Sequence, residues 1–335
     1  MGAAGRERVE QFTWDHTASC LLDLFKNKLC DRQMTSVLTQ RRPLLGAHYY
    51  PWYQAGESVR HWNENTDYAT VEDLPEQGVY SSTDPKLIER HLDLADEAGL
   101  DFLVINLQVS GKGMDPHEMR AVDAIFDLCS RLKRKLSLCF MLTCDKADSK
   151  SINECLARIE EQYAQHPCYL RVGSKPVLWF FVTEAFIGHF FYHHASLADS
   201  TSGFQRIAAA GFCFSKYLPA HYAEFFDGWS LYSPLQIAES AERAALWHSS
   251  HQEFADVKGG KGLNVFGICP GFDDTGLTQS CRLNSDYRQI KRDNAATYSE
   301  MQEFCLNLHE PAQLIVVTSF NEFHENTHIE PSETF

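Results

Sequence analysis

The chain of 335 residues carries 30 Lys and Arg against 45 Asp and Glu, which gives a formal net charge of −15 at pH 7. This acidic balance argues against nucleic acids and anionic membranes as partners, because both select a basic surface. Apolar residues make up 44% of the chain, enough for a sizeable core. The chain contains no run of about 18 apolar residues, so no membrane span is predicted.

The N-terminal residues and the cysteines both bear on where the protein resides. The opening stretch, MGAAGRERVEQF, has no apolar segment typical of a secretory signal. Eleven cysteines are irregularly spaced and no C-x-x-C pair occurs, which indicates free thiols and no cysteine zinc site. Free thiols persist in reducing compartments, so we expect a cytoplasmic protein, or a segment of a longer one whose location the sequence leaves open.

From residue 44 onwards, short apolar segments alternate with segments of helical periodicity. Most of the apolar segments are apolar throughout, as expected for parallel strands that are covered on both faces. The predicted strands are 44–53, 101–109, 135–143, 175–182, 204–215, 227–233, 263–271 and 312–320.

Four long helices are predicted between these strands, at 84–99, 117–134, 151–165 and 286–308. The first opens with Asp84-Pro85, a capping residue followed by proline in the first turn, and ends at Gly99. The third opens with Ser151 and Glu154, the spacing of a capping box.

Eight strands that alternate with helices predict an α/β fold, a (β/α)8 TIM barrel formed by a single domain at 44–335. A doubly wound open sheet is the alternative, although no Gly-rich phosphate loop follows any strand. The eighth strand ends near residue 320, which leaves no room for an eighth helix. Residues 1–43 are therefore expected to be a helical extension, whose helix at 17–38 covers the first and eighth strands.

The stretch NEFHENTHIEP, residues 321–331, follows the eighth strand and has two interpretations. In the first, His324 to His328 form the H-E-x-x-H pentad of zinc hydrolases, which requires a helix that presents both histidines on one face. Asn326 and Thr327 are poor helix formers, Pro331 follows soon after, and no third ligand lies downstream. We therefore expect no metal at this pentad.

In the second interpretation, Glu322 and Glu325 are catalytic carboxylates at the C-terminal mouth of the barrel, where barrel enzymes place their chemistry. A close pair of carboxylates suits glycoside hydrolysis, which needs one protonated and one ionised group. Asn321 and His324 at the same mouth are predicted to bind substrate. The alternative is that these acids are solvated or only close the barrel.

Aromatic and polar side chains also follow other predicted strands. Aromatic rings stack on the apolar faces of sugars, while neighbouring polar groups bind the hydroxyls. The alternative is that these residues fill the barrel or cap turns. The residues predicted to bind substrate on this ground are Tyr50, His61, Trp62, Tyr232 and Asp273.

Seven strings, in order along residues 46–331, resemble glycoside hydrolase family 99, the endo-α-mannosidases and endo-α-mannanases. They are YYPWY (49–53), HWN (61–63), YSSTDP (80–85), HPCYLRVGSKPVLWFFV (166–182), FDGWSLY (226–232), PGFDDT (270–275) and TSFNEFHENTHIEP (318–331). The resemblance implies a (β/α)8 barrel, a glycan substrate and no cofactor, and it adds Tyr80 to the substrate-binding residues.

The resemblance also implies a role for each carboxylate. Glu322 matches the base that acts on the 2-hydroxyl of the substrate, whose oxygen then displaces the leaving group. Glu325 matches the general acid, which later acts as the base. The reaction proceeds through an anhydro sugar with retention of configuration, and neither carboxylate becomes covalently attached.

Several residues depart from the family pattern. Phe323 stands where the family has Trp, and Asn326-Thr327-His328 replaces Gly-Thr-Gln. Leu107 lies where many members have a Trp-containing segment, Met141 where they have a sugar-facing Glu, and Phe272 where they have Tyr. The pattern indicates a divergent glycosidase of an α-linked glycan, such as an α-mannoside. The second hypothesis is a non-catalytic carbohydrate-binding or accessory barrel in polysaccharide assembly.

Overall fold

The computed structural model describes residues 42–62, 71, 73–183, 197–210, 224–233, 240–277, 289–306 and 312–334. The predicted extension at 1–43, with its helix at 17–38, lies almost entirely outside the described residues. Its place in the fold therefore stays a prediction.

Eight parallel strands are found in the described part of the chain, one at each predicted position. They are β1 Leu44–Tyr49, β2 Phe102–Ser110, β4 Ser137–Lys146, β6 Lys175–Val182, β7 Gln205–Ala210, β8 Gly228–Leu231, β9 Leu263–Ile268 and β10 Leu314–Val317. Two short strands, β3 Gly113–Met114 and β5 Arg171–Val172, add antiparallel pairs to β2 and β6.

The eight strands close into a barrel, because β1 pairs with both β2 and β10. Leu44 lies opposite Leu314 on one side of β1, and Gly46 lies opposite Phe102 on the other. The (β/α)8 barrel is thus confirmed, and the open-sheet alternative is wrong. Since all eight strands run in one direction, their C-terminal ends meet at a single mouth.

The described α-helices of full length are α1 Pro85–Glu97, α2 Pro116–Arg131, α3 Ser149–Arg158, α4 Ser240–Val257 and α5 Ala296–Leu306, and a π-helical segment, Ile159–Tyr163, follows α3. The predicted start of α1 is confirmed: the Asp84 side chain accepts a hydrogen bond from the Lys86 backbone N–H at 2.9 Å. At its end, Gly99 has φ +69°, a conformation that glycine adopts without steric cost.

Two helix boundaries differ from prediction. The capping box at Ser151 is wrong, because Asp148 caps α3 three residues earlier and accepts a hydrogen bond from the Ser151 backbone N–H at 2.7 Å. The predicted helix at 286–308 begins only at Ala296. Residues 293–295 have φ values of 46°, 52° and 66°, which a right-handed helix cannot accommodate.

The core consists of the barrel interior and the layer between the strands and helices. Its largest fully buried side chains are aromatic: Trp179, Trp229, Tyr49, Tyr53, Phe102, Phe140, Phe180 and Phe226. Gly46 belongs to this packing, because a Cβ at that position would lie 2.2 Å from the Phe102 ring. Large rings on neighbouring strands therefore require the smallest residue on β1.

Two further expectations from the sequence concern the cysteines and the membrane. The seven cysteines of the described residues are free thiols, as predicted: Cys129, Cys139, Cys144, Cys155, Cys168, Cys269 and Cys305. Among the helices described, none is long and apolar enough to cross a membrane.

Candidate active site

The segment that follows β10 folds back over the barrel mouth and carries both predicted catalytic carboxylates. The Ser319 hydroxyl stabilises the start of this segment. It accepts a hydrogen bond from the Glu322 backbone N–H at 2.8 Å and forms a second hydrogen bond with the Thr327 hydroxyl at 2.9 Å. The Phe320 backbone N–H donates to the His48 carbonyl of β1 at 2.7 Å. Because the barrel itself anchors this segment, its carboxylates are held in fixed positions.

Glu322 and Glu325 line one cleft at this mouth, with a volume of about 130 Å³. The other lining residues come from the ends of several different strands, as is typical of barrel active sites. They are Tyr50, Trp52, Asn106, Gln108, Met141, Thr143, Phe181, Tyr232, Leu277 and His324. Of the predicted site residues, the structure therefore brings together Glu322, Glu325, Tyr50, Tyr232 and His324.

The two carboxylates have different surroundings. Glu322 is 3% exposed, and its Oε1 accepts hydrogen bonds from the backbone N–H of His324 at 2.9 Å and from the His324 Nδ1 at 2.8 Å. Glu325 is partly accessible, but its Oε2 is buried. Burial raises the pKa of Glu325 well above its ordinary range, and the charges of Glu322 and Asp274 raise it further. Both effects favour the protonated form of Glu325.

Tyr50 and Tyr232 form a hydroxyl–hydroxyl hydrogen bond in the buried part of the cleft. Burial raises the pKa of both phenols well above the usual value, and the nearby carboxylates Glu322 and Glu325 raise it further. Both side chains therefore remain neutral, and the hydroxyl that accepts in this pair keeps its own hydrogen for a polar ligand. Tyr50 also packs against Trp52, with ring centroids 4.6 Å apart and the ring planes tilted by 36°.

Asn321 does not line the cleft, although it precedes Glu322. Its side chain is fully buried, and its Oδ1 accepts a hydrogen bond from the Tyr50 backbone N–H at 2.7 Å. Its Nδ2 donates to the Tyr50 carbonyl at 3.0 Å. The predicted substrate-binding residue thus joins the end of β10 to the end of β1.

Three further predicted residues form an aromatic layer behind the cleft wall. Trp62 stacks on Tyr53 at 4.2 Å and donates from its indole N–H to the Tyr80 carbonyl at 2.7 Å. The Tyr80 hydroxyl donates to the Glu330 carboxylate at 2.8 Å. His61 lies closer to the site, stacked on Trp52 at 4.6 Å. None of the three predicted residues, His61, Trp62 and Tyr80, lines the cleft itself.

Asp273 lines a second cleft together with Asn326. Its Oδ1 accepts hydrogen bonds from the Thr275 backbone N–H at 3.0 Å and hydroxyl at 2.6 Å, the arrangement of a capped turn. The neighbouring Asp274 is the buried one, 4% exposed, and its charge acts on Glu325. Sequence reasoning chose Asp273, whereas it is the charge of Asp274 that acts on Glu325.

Seven lining residues were not among the predicted site residues: Trp52, Asn106, Gln108, Met141, Thr143, Phe181 and Leu277. Trp52 belongs to the YYPWY string, and its neighbour Tyr50 was chosen instead. Asn106, Gln108 and Thr143 are polar residues within otherwise apolar strands, which is a signal that could have identified them. Phe181 has no such signal, because it stands in the continuous apolar run of β6.

The H-E-x-x-H pentad does not lie on a helix. Residues 323–326 form a turn, and Asn326 has φ +49°. His324 bonds Glu322, whereas His328 stacks on Phe323 at 4.1 Å and bonds Asp73 at 3.1 Å. The two imidazoles are thus directed to separate carboxylates, and the geometry of a zinc hydrolase is not present.

Comparisons with known proteins find relatives of similar sequence. The chain is 24% identical to glycoprotein endo-alpha-1,2-mannosidase from Mus musculus, over 85% of this chain and 67% of that protein. It is 23% identical to the endo-alpha-1,2-mannosidase-like protein from Mus musculus, over 85% of this chain and 69% of the relative.

A solved structure of the family 99 endo-alpha-mannosidase from Bacteroides thetaiotaomicron, in complex with bis-tris-propane, superposes with a TM-score of 0.67. That pair is 24% identical and covers 86% of this chain and 87% of the other. The sequence model of glycosyl hydrolase family 99 matches residues 34–334. The chain therefore belongs to glycosyl hydrolase family 99 and is a glycosidase.

Proposed function

We propose that this glycosidase cleaves α-mannosidic bonds within a larger glycan, with retention of configuration. The observation that carries the proposal is the pair Glu322 and Glu325, two carboxylates of one cleft in contrasting surroundings. Glycoside hydrolysis requires one group that donates a proton and one that accepts a proton. The similarity to endo-acting α-mannosidases supports the choice of sugar and of internal cleavage.

In the first step, Glu325 donates its proton to the departing glycosidic oxygen. Glu322 removes the proton of the 2-hydroxyl of the sugar, and that oxygen attacks C1 as the C1–O bond to the leaving group breaks. The product is a 1,2-anhydro sugar. The oxygen of the sugar itself acts as the nucleophile, so proximity supplies much of the rate enhancement.

In the second step, the ionised Glu325 removes a proton from water, and the water oxygen attacks C1. The C1–O2 bond breaks, and Glu322 returns its proton to the 2-hydroxyl. Two inversions at C1 give net retention. Both carboxylates return to their starting protonation states, so the cycle needs no cofactor.

The remainder of the cleft suits a neutral sugar. Trp52, Tyr50 and Tyr232 offer aromatic faces and phenol hydroxyls. The Thr143 hydroxyl donates to the Asn106 Oδ1 at 2.8 Å, which fixes the orientation of a buried amide that lines the same cleft. Among the described lining residues, the only carboxylates are Glu322 and Glu325, and no Lys or Arg is present to attract an anionic sugar.

A panel of aryl α-mannobiosides, α-glucobiosides and α-galactobiosides, each with the same activated aryl group, tests the proposal. We expect turnover of the α-mannobioside, with NMR showing the α-anomer as the first product. A 2-deoxy analogue should resist hydrolysis, because it lacks the internal nucleophile. A β-anomer as first product, or rapid cleavage of the 2-deoxy analogue, contradicts the mechanism. Glycan binding without turnover on the whole panel would instead support the accessory-barrel hypothesis.

A further inference from the structure

His324 is the residue in closest contact with the Glu322 carboxylate. Its backbone N–H and its imidazole Nδ1 both reach the same oxygen, Oε1, at 2.9 and 2.8 Å. An ionised carboxylate is only an acceptor, so the Nδ1 atom carries the hydrogen in this pair. Oε1 is thereby occupied by two donors from one residue, and Oε2 is the oxygen that remains for a substrate proton.

The imidazole of His324 is itself held in place by rings from the segment after β1. Tyr53 lies parallel to it, with centroids 5.9 Å apart and planes at 13°. Trp52 and His61 meet it edge-on, at 6.0 and 5.6 Å. The side chains of His324 and Glu322 are each only 4% exposed. A ring enclosed on three sides cannot rotate freely, so its Nδ1–H keeps one direction.

We propose that His324 is a positioning residue that holds the Glu322 carboxylate in the orientation from which its free oxygen accepts the proton of the substrate. The inference rests on the proposed function and refines it, because His324 was first expected to bind substrate. A substrate-binding residue would act on affinity. A positioning residue acts on the reactive step, since a small misplacement of a base is costly only when the proton moves.

Two variants of His324 separate these roles. His324→Leu removes the side-chain donor and keeps an apolar group of similar bulk. His324→Asn places an amide N–H close to the position of the original Nδ1. With the activated α-mannobioside, we expect His324→Leu to lower kcat on the order of 10²-fold with KM close to the wild-type value. His324→Asn should recover most of that loss.

His117→Leu is the matched control. His117 is 5% exposed and its Nε2 lies 2.9 Å from the Tyr53 carbonyl, so it supports the same aromatic segment without touching either carboxylate. We expect His117→Leu to lower the melting temperature as His324→Leu does, while kcat stays near the wild-type value. A higher KM with unchanged kcat in His324→Leu would overturn the proposal, and so would His324→Asn being as slow as His324→Leu.

A second measurement tests the hydrogen bond without turnover. In protein labelled with ¹⁵N-histidine, the wild type should show a downfield imidazole N–H proton that is missing in His324→Leu. The same resonance should move upfield in Glu322→Gln, because a neutral acceptor makes a weaker hydrogen bond. Its absence, or no response to Glu322→Gln, overturns the proposal. If the resonance behaves as expected but the wild type cleaves no α-mannoside, the proposed substrate fails while the pairing of His324 with Glu322 stands.

Discussion

The side-chain amide of Asn321 hydrogen-bonds both the backbone N–H and the backbone carbonyl of Tyr50, at 2.7 and 3.0 Å. The ladder between β1 and β10 ends at Ala47 and Val317, three residues before Tyr50 and four before Asn321. Asn321 therefore extends the pairing of these strands beyond their backbone hydrogen bonds. It also fixes the segment from which the Tyr50 side chain enters the cleft.

Asn321→Leu should destabilise the protein by about 2–4 kcal/mol, because it leaves two buried backbone groups of Tyr50 without partners. Urea unfolding followed by circular dichroism measures the change. Asn153→Leu, on helix α3 at the outside of the barrel, is the control and should cost much less. An Asn321→Leu variant as stable as the wild type would show that this amide does not hold the barrel closed.

Glu325→Gln should abolish turnover of substrates with poor leaving groups and spare activated aryl glycosides, whose leaving groups depart without protonation. Glu322→Gln should slow both kinds by about 10²–10⁴-fold, because it removes the base that activates the 2-hydroxyl. Steady-state kinetics on a series of aryl α-mannobiosides of graded leaving-group pKa distinguishes the two.

Glu118→Gln is the matched control for these kinetics. Glu118 is a buried acid on α2, and it does not line the cleft that contains Glu322 and Glu325. Its substitution should leave the dependence of rate on the leaving group unchanged. Equal effects of Glu322→Gln and Glu325→Gln on every substrate would contradict the separate roles assigned to them.

The raised pKa of Glu118 leads us to expect that the stability of the protein depends on pH. Burial, together with the charge of Asp115, raises the pKa of Glu118 from 4.5 to about 7. Between these two values the folded protein binds more protons than the unfolded chain, so the free energy of unfolding falls as the pH rises through this window. The contribution is fully present below pH 4.5 and is lost above about pH 7.

Urea unfolding of the wild type and of Glu118→Gln at pH 5 and pH 8 measures this contribution. Between these pH values the wild type should lose up to about 3 kcal/mol relative to the variant, which cannot ionise at this position. If the two proteins change in parallel, the pKa of Glu118 is not raised in the folded state.

His91 and Glu330 form a buried pair that joins α1 to the segment after the catalytic motif. The His91 Nε2 lies 3.0 Å from a Glu330 oxygen, and both side chains are 1% exposed. Gln77 and Tyr80 donate to the same carboxylate at 3.1 and 2.8 Å. His91→Leu should destabilise the protein by about 3–5 kcal/mol, because it removes one partner of a buried pair.

The double variant His91→Leu/Glu330→Gln tests the origin of that loss. It should be more stable than His91→Leu alone, because a neutral amide has a smaller cost of burial than a carboxylate. Denaturant unfolding measures both. A double variant that is less stable than the single one would show that the contacts of Glu330 with Gln77 and Tyr80, and not its pairing with His91, dominate.

The strands and the location of the site could be predicted from the sequence. Continuous apolar runs indicate strands buried on both faces, and their alternation with helical segments leaves few topologies other than a barrel. The direct passage of LIVVTSF into Asn321-Glu322 then places both carboxylates at the mouth. These inferences depend only on local pattern and on the shared direction of parallel strands.

The role of each neighbouring residue depended on contacts between distant parts of the chain. Asn321 and Glu322 are adjacent in sequence, yet one side chain binds the Tyr50 backbone and the other enters the cleft. Tyr80 and Glu330, 250 residues apart, meet in the interior. Asn106 and Thr143 reach the cleft because β2 and β4 lie side by side. Burial and pairing of polar groups are properties of the closed barrel, since only closure decides which groups lose contact with water and which partners replace it.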